Sequence, residues 1–254
     1  MSFKIAHSRF LLITLAVLML SSCRKNIDDT GGKIMLSFDD QYIDSWYAHR
    51  QLFKNYDAQV CFYVTRPLEL SNEDFKKLLI LQNDGHVIGS HGMYHRHINE
   101  FETAESYYKQ EVLPSVQIFE AHGLDVRAYA YPHGKGRSDV DSLLISHGFT
   151  VRDAGWNYSH QVLSKKETCY IHDTGVPKKF VAMGLDHNYK TGYVDIFLGL
   201  RKAKRENNMI VLVGHDIDRK YNNYITHPLK LRFLLKQCTR NNIDFYLPVL
   251  EKED

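Results

Sequence analysis

Ile34-Met35-Leu36-Ser37-Phe38 reads as a buried strand, and Asp39-Asp40 follows it at once. A short apolar run closing in two acids marks a strand that ends where polar chemistry begins. Outward from it the pattern recurs. Residues 43–55 place Ile43, Trp46, Tyr47 and Arg50 at helical spacing, Ala58 to Val64 is a second strand, and 72–83 a second helix. His86-Val87-Ile88-Gly89-Ser90 is a third strand, and a long helix over 102–121 contains Pro114, which can kink or divide it. Strands follow at 126–131 and 149–152, with a helix over 139–147 between them. Residues 157–190 are weakly patterned, with one short strand candidate at Cys169-Tyr170-Ile171. A helix at 191–206, the run Met209–Val213, a helix at 228–240 and Phe245-Tyr246-Leu247 complete the chain. Alternating strands and helices specify a mostly parallel sheet with helices outside, an α/β fold. The expectation is a single distorted (β/α) barrel with fewer than eight regular strands.

The first 32 residues read differently. Lys4 and Arg9 precede the apolar run Leu11–Leu20, which ends in Leu20-Ser21-Ser22-Cys23. A basic start and a short apolar core form a secretory signal, and ten residues are too few for a span, which needs about 20. The ending resembles the lipobox of bacterial lipoproteins, implying cleavage before Cys23 and a diacylglyceryl group on its thiol. The plainer alternative is an ordinary signal with a chance cysteine. The expected division is 1–22 signal, 23–32 tether and 33–254 one folded domain, exported and lipid-anchored in the bacterial cell envelope. Net charge is +2 and no basic stripe is interleaved with aromatics, so no nucleic-acid partner is indicated. Cys61, Cys169 and Cys238 are odd in number and widely spaced, which gives no disulfide framework.

Polar clusters sit directly after the expected strands: Asp39-Asp40, His91/His95, Pro132-His133-Gly134, Arg152-Asp153 and His215-Asp216. In an α/β barrel all strand C-termini open on one face, where such groups converge. Singly, a strand-end Asp is more often a turn residue than a catalyst; five clusters in one chain are harder to dismiss. His91 and His95 are four apart, so a helical turn would turn both toward a single ion. His97, two residues on, would face elsewhere. Two imidazoles and a carboxylate with a place left for water make a zinc-type hydrolytic site.

Four segments then resemble the motifs of the polysaccharide deacetylase family, the NodB-homology group of carbohydrate esterases. Ser37-Phe38-Asp39-Asp40 is similar to its T-F-D-D, and His91-Gly92-Met93-Tyr94-His95 to H-(S/T)-x-x-H with Gly92 in the hydroxyl position. Tyr131-Pro132-His133-Gly134 is similar to P-(Y/W)-G, and Leu212-Val213-Gly214-His215-Asp216 to L-x-L-H. They occur in the family's order. The resemblance implies a NodB-type barrel that removes N-acetyl groups from amino sugars of an acetylated glycan. Asp40, His91 and His95 would hold a divalent metal, with zinc first and cobalt, nickel or iron as alternatives. Asp39 would be the general base, His215 the general acid, and the backbone N–H of Tyr131 an oxyanion donor. Leu212 and Trp156 would wall the acetyl pocket, or simply pack in the core.

Two departures stand out. Where the family has an Arg two residues before the Pro of the third motif, this chain has Ala130, and Arg152 beside Asp153 is the candidate substitute. A surface ion pair is the plain alternative for Arg152. His133 replaces an aromatic, lining the groove or merely occupying the turn. Two other readings remain: an O-acetyl esterase on the same scaffold, and a lipid-anchored glycan-binding protein without turnover, to which Ala130 gives weight.

Overall fold

The computed structural model describes residues 31–155, 162–172 and 177–248. Among them run nine strands: β1 (Lys33–Asp40), β2 (Cys61–Val64), β3 (Val87–Ser90), β4 (Ala128–Ala130), β5 (Thr150–Ala154), β6 (Tyr170–His172), β7 (Lys179–Gly184), β8 (Asn208–Gly214) and β9 (Asp244–Phe245). In the order β1-β2-β3-β4-β5-β7-β8 they pair in parallel, and β8 pairs back onto β1, closing a seven-stranded barrel. The remaining two fill gaps at one end. β2 joins β1 only from Ser37, and β9 covers Lys33 and Ile34 below it. β7 joins β8 at Leu212 and Val213, and antiparallel β6 covers Asn208 to Ile210.

The helices are α1 (Ile43–Ala48), α2 (Arg50–Lys54), α3 (Asn72–Asn83), α4 (Ala104–Tyr107), α5 (Leu113–Ala121), α6 (Ser138–Ser146), α7 (Tyr193–Glu206) and α8 (Pro228–Asn241). A π-helical turn, Tyr108–Val112, links α4 to α5. The single helix expected over 102–121 is therefore divided. Pro114 lies in the first turn of α5 and has no N–H for the carbonyl four residues back, so the ladder re-registers just before it. Among the described residues no helix is long and apolar enough to cross a membrane.

Strand alternation sorts the core into two layers. Ile34, Leu36 and Phe38 of β1 face the helices and pack with Trp46, Phe53 and Phe62. Met35, with Cys61, Tyr63, Ala130, Ala182, Val211 and Val213, fills the barrel interior. Asp39 has the parity of Met35, so the same alternation aims it inward at the C-terminal mouth.

β7 is the strand that sequence patterning missed. It begins at Lys179, ends in Gly184, and exposes its first residue, so its apolar stretch is too short to stand out. Without it β5 and β8 would not be joined, and the barrel would stay open.

Candidate active site

The strand ends deliver the polar clusters to one cleft of about 520 Å³. It is lined by Asp39, Asp40, His91, His95, His133 and His215, together with His97, Gly134, Lys135 and Tyr224. Asp40, His91 and His95 present ligand atoms that lie within 4.8 Å of one another. His91 Nε2 is 3.7 Å and His95 Nε2 3.5 Å from Asp40 Oδ1. For tetrahedral coordination at ~2.1 Å, ligand atoms stand ~3.4 Å apart, so the trio has the dimensions of a cation site. The proton positions fit as well. His91 Nδ1 donates to the Ala130 carbonyl at 2.9 Å, which leaves the Nε2 lone pair facing the cleft. Burial holds both rings neutral, the form that ligates: His91 lies well below its ordinary value, and His95 is pushed down to about 3, with His91 adding to the effect. Burial also raises the Asp40 carboxyl, an acid short of a counter-charge.

The segment bearing the two histidines is not the helical turn expected. Residues 91–97 are irregular, with Gly92 at φ +86 and His95 at φ 60. Two anchors hold it. Arg66 N–H donates to the Gly92 carbonyl. Glu111, fully buried on the π turn, accepts Tyr94 N–H at 3.0 Å and Arg96 Nε at 2.7 Å, while its own carbonyl accepts Met93 N–H. A Cβ on Gly92 would lie 2.7 Å from Glu111 Oε2, so the hydroxyl residue of the family motif does not fit here. Asp40 (φ 82) and His133 (φ 58) are also left-handed; strained backbone of this kind persists where the surroundings over-determine it. Against expectation, His97 also borders the cleft, but its Nδ1 accepts Asn99 N–H.

Asp39 is gripped from across the barrel. Arg152, wholly buried, is the Cα partner of Ala130 in the β4–β5 ladder, and both face inward. Its Nη2 donates to Asp39 Oδ2, and its guanidinium lies over the Tyr63 ring at 5.1 Å. It is no surface ion pair. Asp39 Oδ1 is buried without a hydrogen-bond partner among the described residues, leaving one acceptor oxygen for a ligand.

At the end of β8, the strand next to β1, His215 is held by Asp186, which sequence reading overlooked. Asp186 Oδ2 lies 2.6 Å from His215 Nδ1, while Oδ1 accepts His215 N–H and the Thr226 hydroxyl. Trp46 Nε1 donates to the His215 carbonyl. Burial alone would lower the imidazole, but the Asp186 carboxylate, with Asp39 and Asp40 adding to it, lifts His215 to about 9. A signal did exist, because Phe180-Val181-Ala182-Met183-Gly184 followed by Asp186 repeats the apolar-run-then-acid pattern of β1.

Other expectations change. The Tyr131 N–H already donates to the Arg152 carbonyl in the sheet, and its hydroxyl to Asp141, so it is not an oxyanion donor. Asp153, next to Arg152, points to the other side of β5 and pairs with Lys179 at 3.4 Å. Leu212 belongs to the helix-facing layer, while its neighbour Val213 faces inward. Pro132 is buried at the start of the turn that puts His133 against His95, ring to ring at 4.7 Å. Trp156 and Cys23 lie outside the described residues.

A carboxylate with a free oxygen, a charged histidine and a cluster of ligand atoms, gathered at one barrel mouth, define a hydrolytic site. The polysaccharide deacetylase family model matches residues 26–152. The chain belongs to that family and is a hydrolase of it. His215 and Asp186 lie beyond the matched span, where the fold alone brings them to the site. Solved structures of the same fold include the peptidoglycan deacetylase PdaC from Bacillus subtilis (15% identity, 86% of this chain and 90% of that one, TM-score 0.54). They also include the catalytic domain of a peptidoglycan N-acetylglucosamine deacetylase from Eubacterium rectale (13%, 92% and 96%, TM-score 0.55). A third is a family 4 carbohydrate esterase from Streptococcus mutans (14%, 88% and 87%, TM-score 0.57). Comparison with curated protein sequences finds no match.

Proposed function

We propose that this hydrolase removes N-acetyl groups from amino sugars of an envelope glycan, with peptidoglycan the first substrate to try. The single observation that carries the reading is the pairing of an Arg-clamped Asp39 with an Asp186-held His215, delivered by the neighbouring strands β1 and β8 to the cleft that contains the ligand trio.

Asp40, His91 and His95 would hold a divalent ion, zinc by the character of two imidazoles and a carboxylate. When bound, such an ion supplies Lewis acidity toward the acetyl carbonyl and the attacking water. The protein's own groups do the rest. Asp39 Oδ1 takes a proton from the water as its oxygen bonds to the carbonyl carbon. Arg152 keeps the carboxylate fixed in place while it waits. His215, protonated at neutral pH, gives its Nε2 proton to the amide nitrogen as the C–N bond breaks, because an unprotonated amide nitrogen is a poor leaving group. Acetate and a free amine result. Cys23 is the proposed attachment point for a lipid that keeps the enzyme at the envelope.

Alkaline pH is expected to switch the acid off. A histidine raised to about 9 keeps its proton at neutrality and loses it as pH rises through that value. Its contribution to stability likewise is complete below about 6.5 and fades as pH rises toward 9. Asp186→Asn removes the stabilising anion, so the alkaline limb of kcat/KM should move to lower pH; an unmoved limb would contradict the role of His215.

The deciding experiment is acetate release from N-acetylglucosamine oligomers, peptidoglycan and an acetyl ester by the chain from Arg24. Release from an amide substrate, abolished by chelator and restored by zinc or cobalt, is the expected result. Turnover of the ester alone would replace the amidase reading with an esterase. Silence on all three with metal bound would favour a glycan-binding protein.

A further inference from the structure

The outer face formed by α7 and α8 does not belong to the cleft, yet it is built with a strong bias. Together the two helices carry eight Lys or Arg against two acids, a net of +6 in a chain whose total is +2. The rest of the protein is therefore net acidic, and the positive potential is local. Lys202 and Arg205 pair with Glu167 and Glu206. Among the described residues, Arg201, Lys204, Arg232, Lys236 and Arg240 form no ion pair and all are exposed.

Apolar exposure is concentrated on the same helices. Of nine large hydrophobic side chains exposed among the described residues, five are Tyr193, Val194, Phe197 and Leu198 of α7 and Leu229 of α8. Val194, Phe197, Leu198, Arg201 and Arg205 follow three- and four-residue steps down one stripe, apolar at the start of the helix and cationic at its end. Between the helices and Ser164 lies a cleft of about 730 Å³ lined mainly by cations. Finally, Gly32 packs so closely on this helix that a Cβ would lie 2.6 Å from the backbone of Ala203 and Lys204. The polypeptide thus enters the barrel beside the basic end of α7, and the 31 residues before Gly32 include the apolar run Leu11–Leu20.

We propose that the α7–α8 face is a docking surface for a bilayer containing anionic phospholipid. Its cations meet lipid phosphates, and Val194, Phe197, Leu198 and Leu229 enter the interfacial layer. The choice of a bilayer rests partly on the export reading of residues 1–23. The test omits them, so the two can fail separately.

The chain from Arg24, which contains the whole compact unit Gly31–Asp254, is sedimented with vesicles of phosphatidylcholine alone and of an equal mixture with phosphatidylglycerol. Binding should appear on the anionic vesicles and weaken with salt. The triple variant Arg201→Glu, Lys204→Glu, Lys236→Glu should lose about a hundredfold or more in partitioning. Its acetate release from a soluble oligomer should not change. Equal binding to both vesicles, or unchanged partitioning of the variant, would overturn the proposal. So would a concentration-dependent dimer that the same substitutions dissolve, because the face would then belong to a second copy.

Discussion

Asp39→Asn is expected to lower kcat by about 10²–10⁴-fold, the usual worth of a positioned general base, while metal binding persists. The substitution keeps the shape and an oxygen for Arg152, and removes the charge and the proton acceptor. The Asp40, His91 and His95 trio is untouched, so zinc or cobalt titration by calorimetry should give an affinity close to wild type. That contrast separates a base from a ligand: were Asp39 only a support for the ion, affinity and rate would fall together. Some stability is lost as well, because the fully buried Arg152 loses its counter-charge.

Arg152→Ala should produce the largest loss of stability, about 3–5 kcal/mol. It strips the buried Asp39 carboxylate of its partner and empties a guanidinium-sized volume over the Tyr63 ring, beside Ala130. For a domain of this size that corresponds to a fall in Tm of about 10 °C. Lys should not rescue it, since an ammonium cannot both reach Asp39 and lie flat over Tyr63. A cleaner comparison is the double variant Asp39→Leu, Arg152→Met. Replacing both charges with apolar groups should recover much of the stability and none of the activity. If the single Arg152→Ala protein melts like wild type, the pair is not the buried linkage described above.

Much of this was legible in the chain because parallel strands in a closed barrel are short, apolar and end on the same side. β1, β2, β3, β5 and β8 all fall where apolar runs do, and the acids and histidines at the ends of β1, β3 and β8 reach one cleft. What escaped notice had physical reasons. β7 starts at a lysine and is too brief to stand out, so Asp186 behind it was lost in a region that read as irregular. The histidine pair suggested a helical turn, but Glu111, seventeen residues beyond Tyr94, holds it in an irregular loop, and no local pattern announces so distant a partner. Trust in adjacency also misplaced Asp153 and Leu212. Neighbours on a strand face opposite ways, and a slip of one residue changes which layer a side chain enters.

The exchange between Ala130 and Arg152 has a bearing on how related chains are sorted. These residues are ladder partners on adjacent strands, at the same height above the barrel floor and with the same inward direction. A guanidinium launched from either strand arrives at the same carboxylate, so the requirement is a coordinate in space and the motif only one way of meeting it. A chain that lacks the expected arginine should be examined one strand further round before it is set aside as inactive, and the alanine left behind taken as the room its replacement needs.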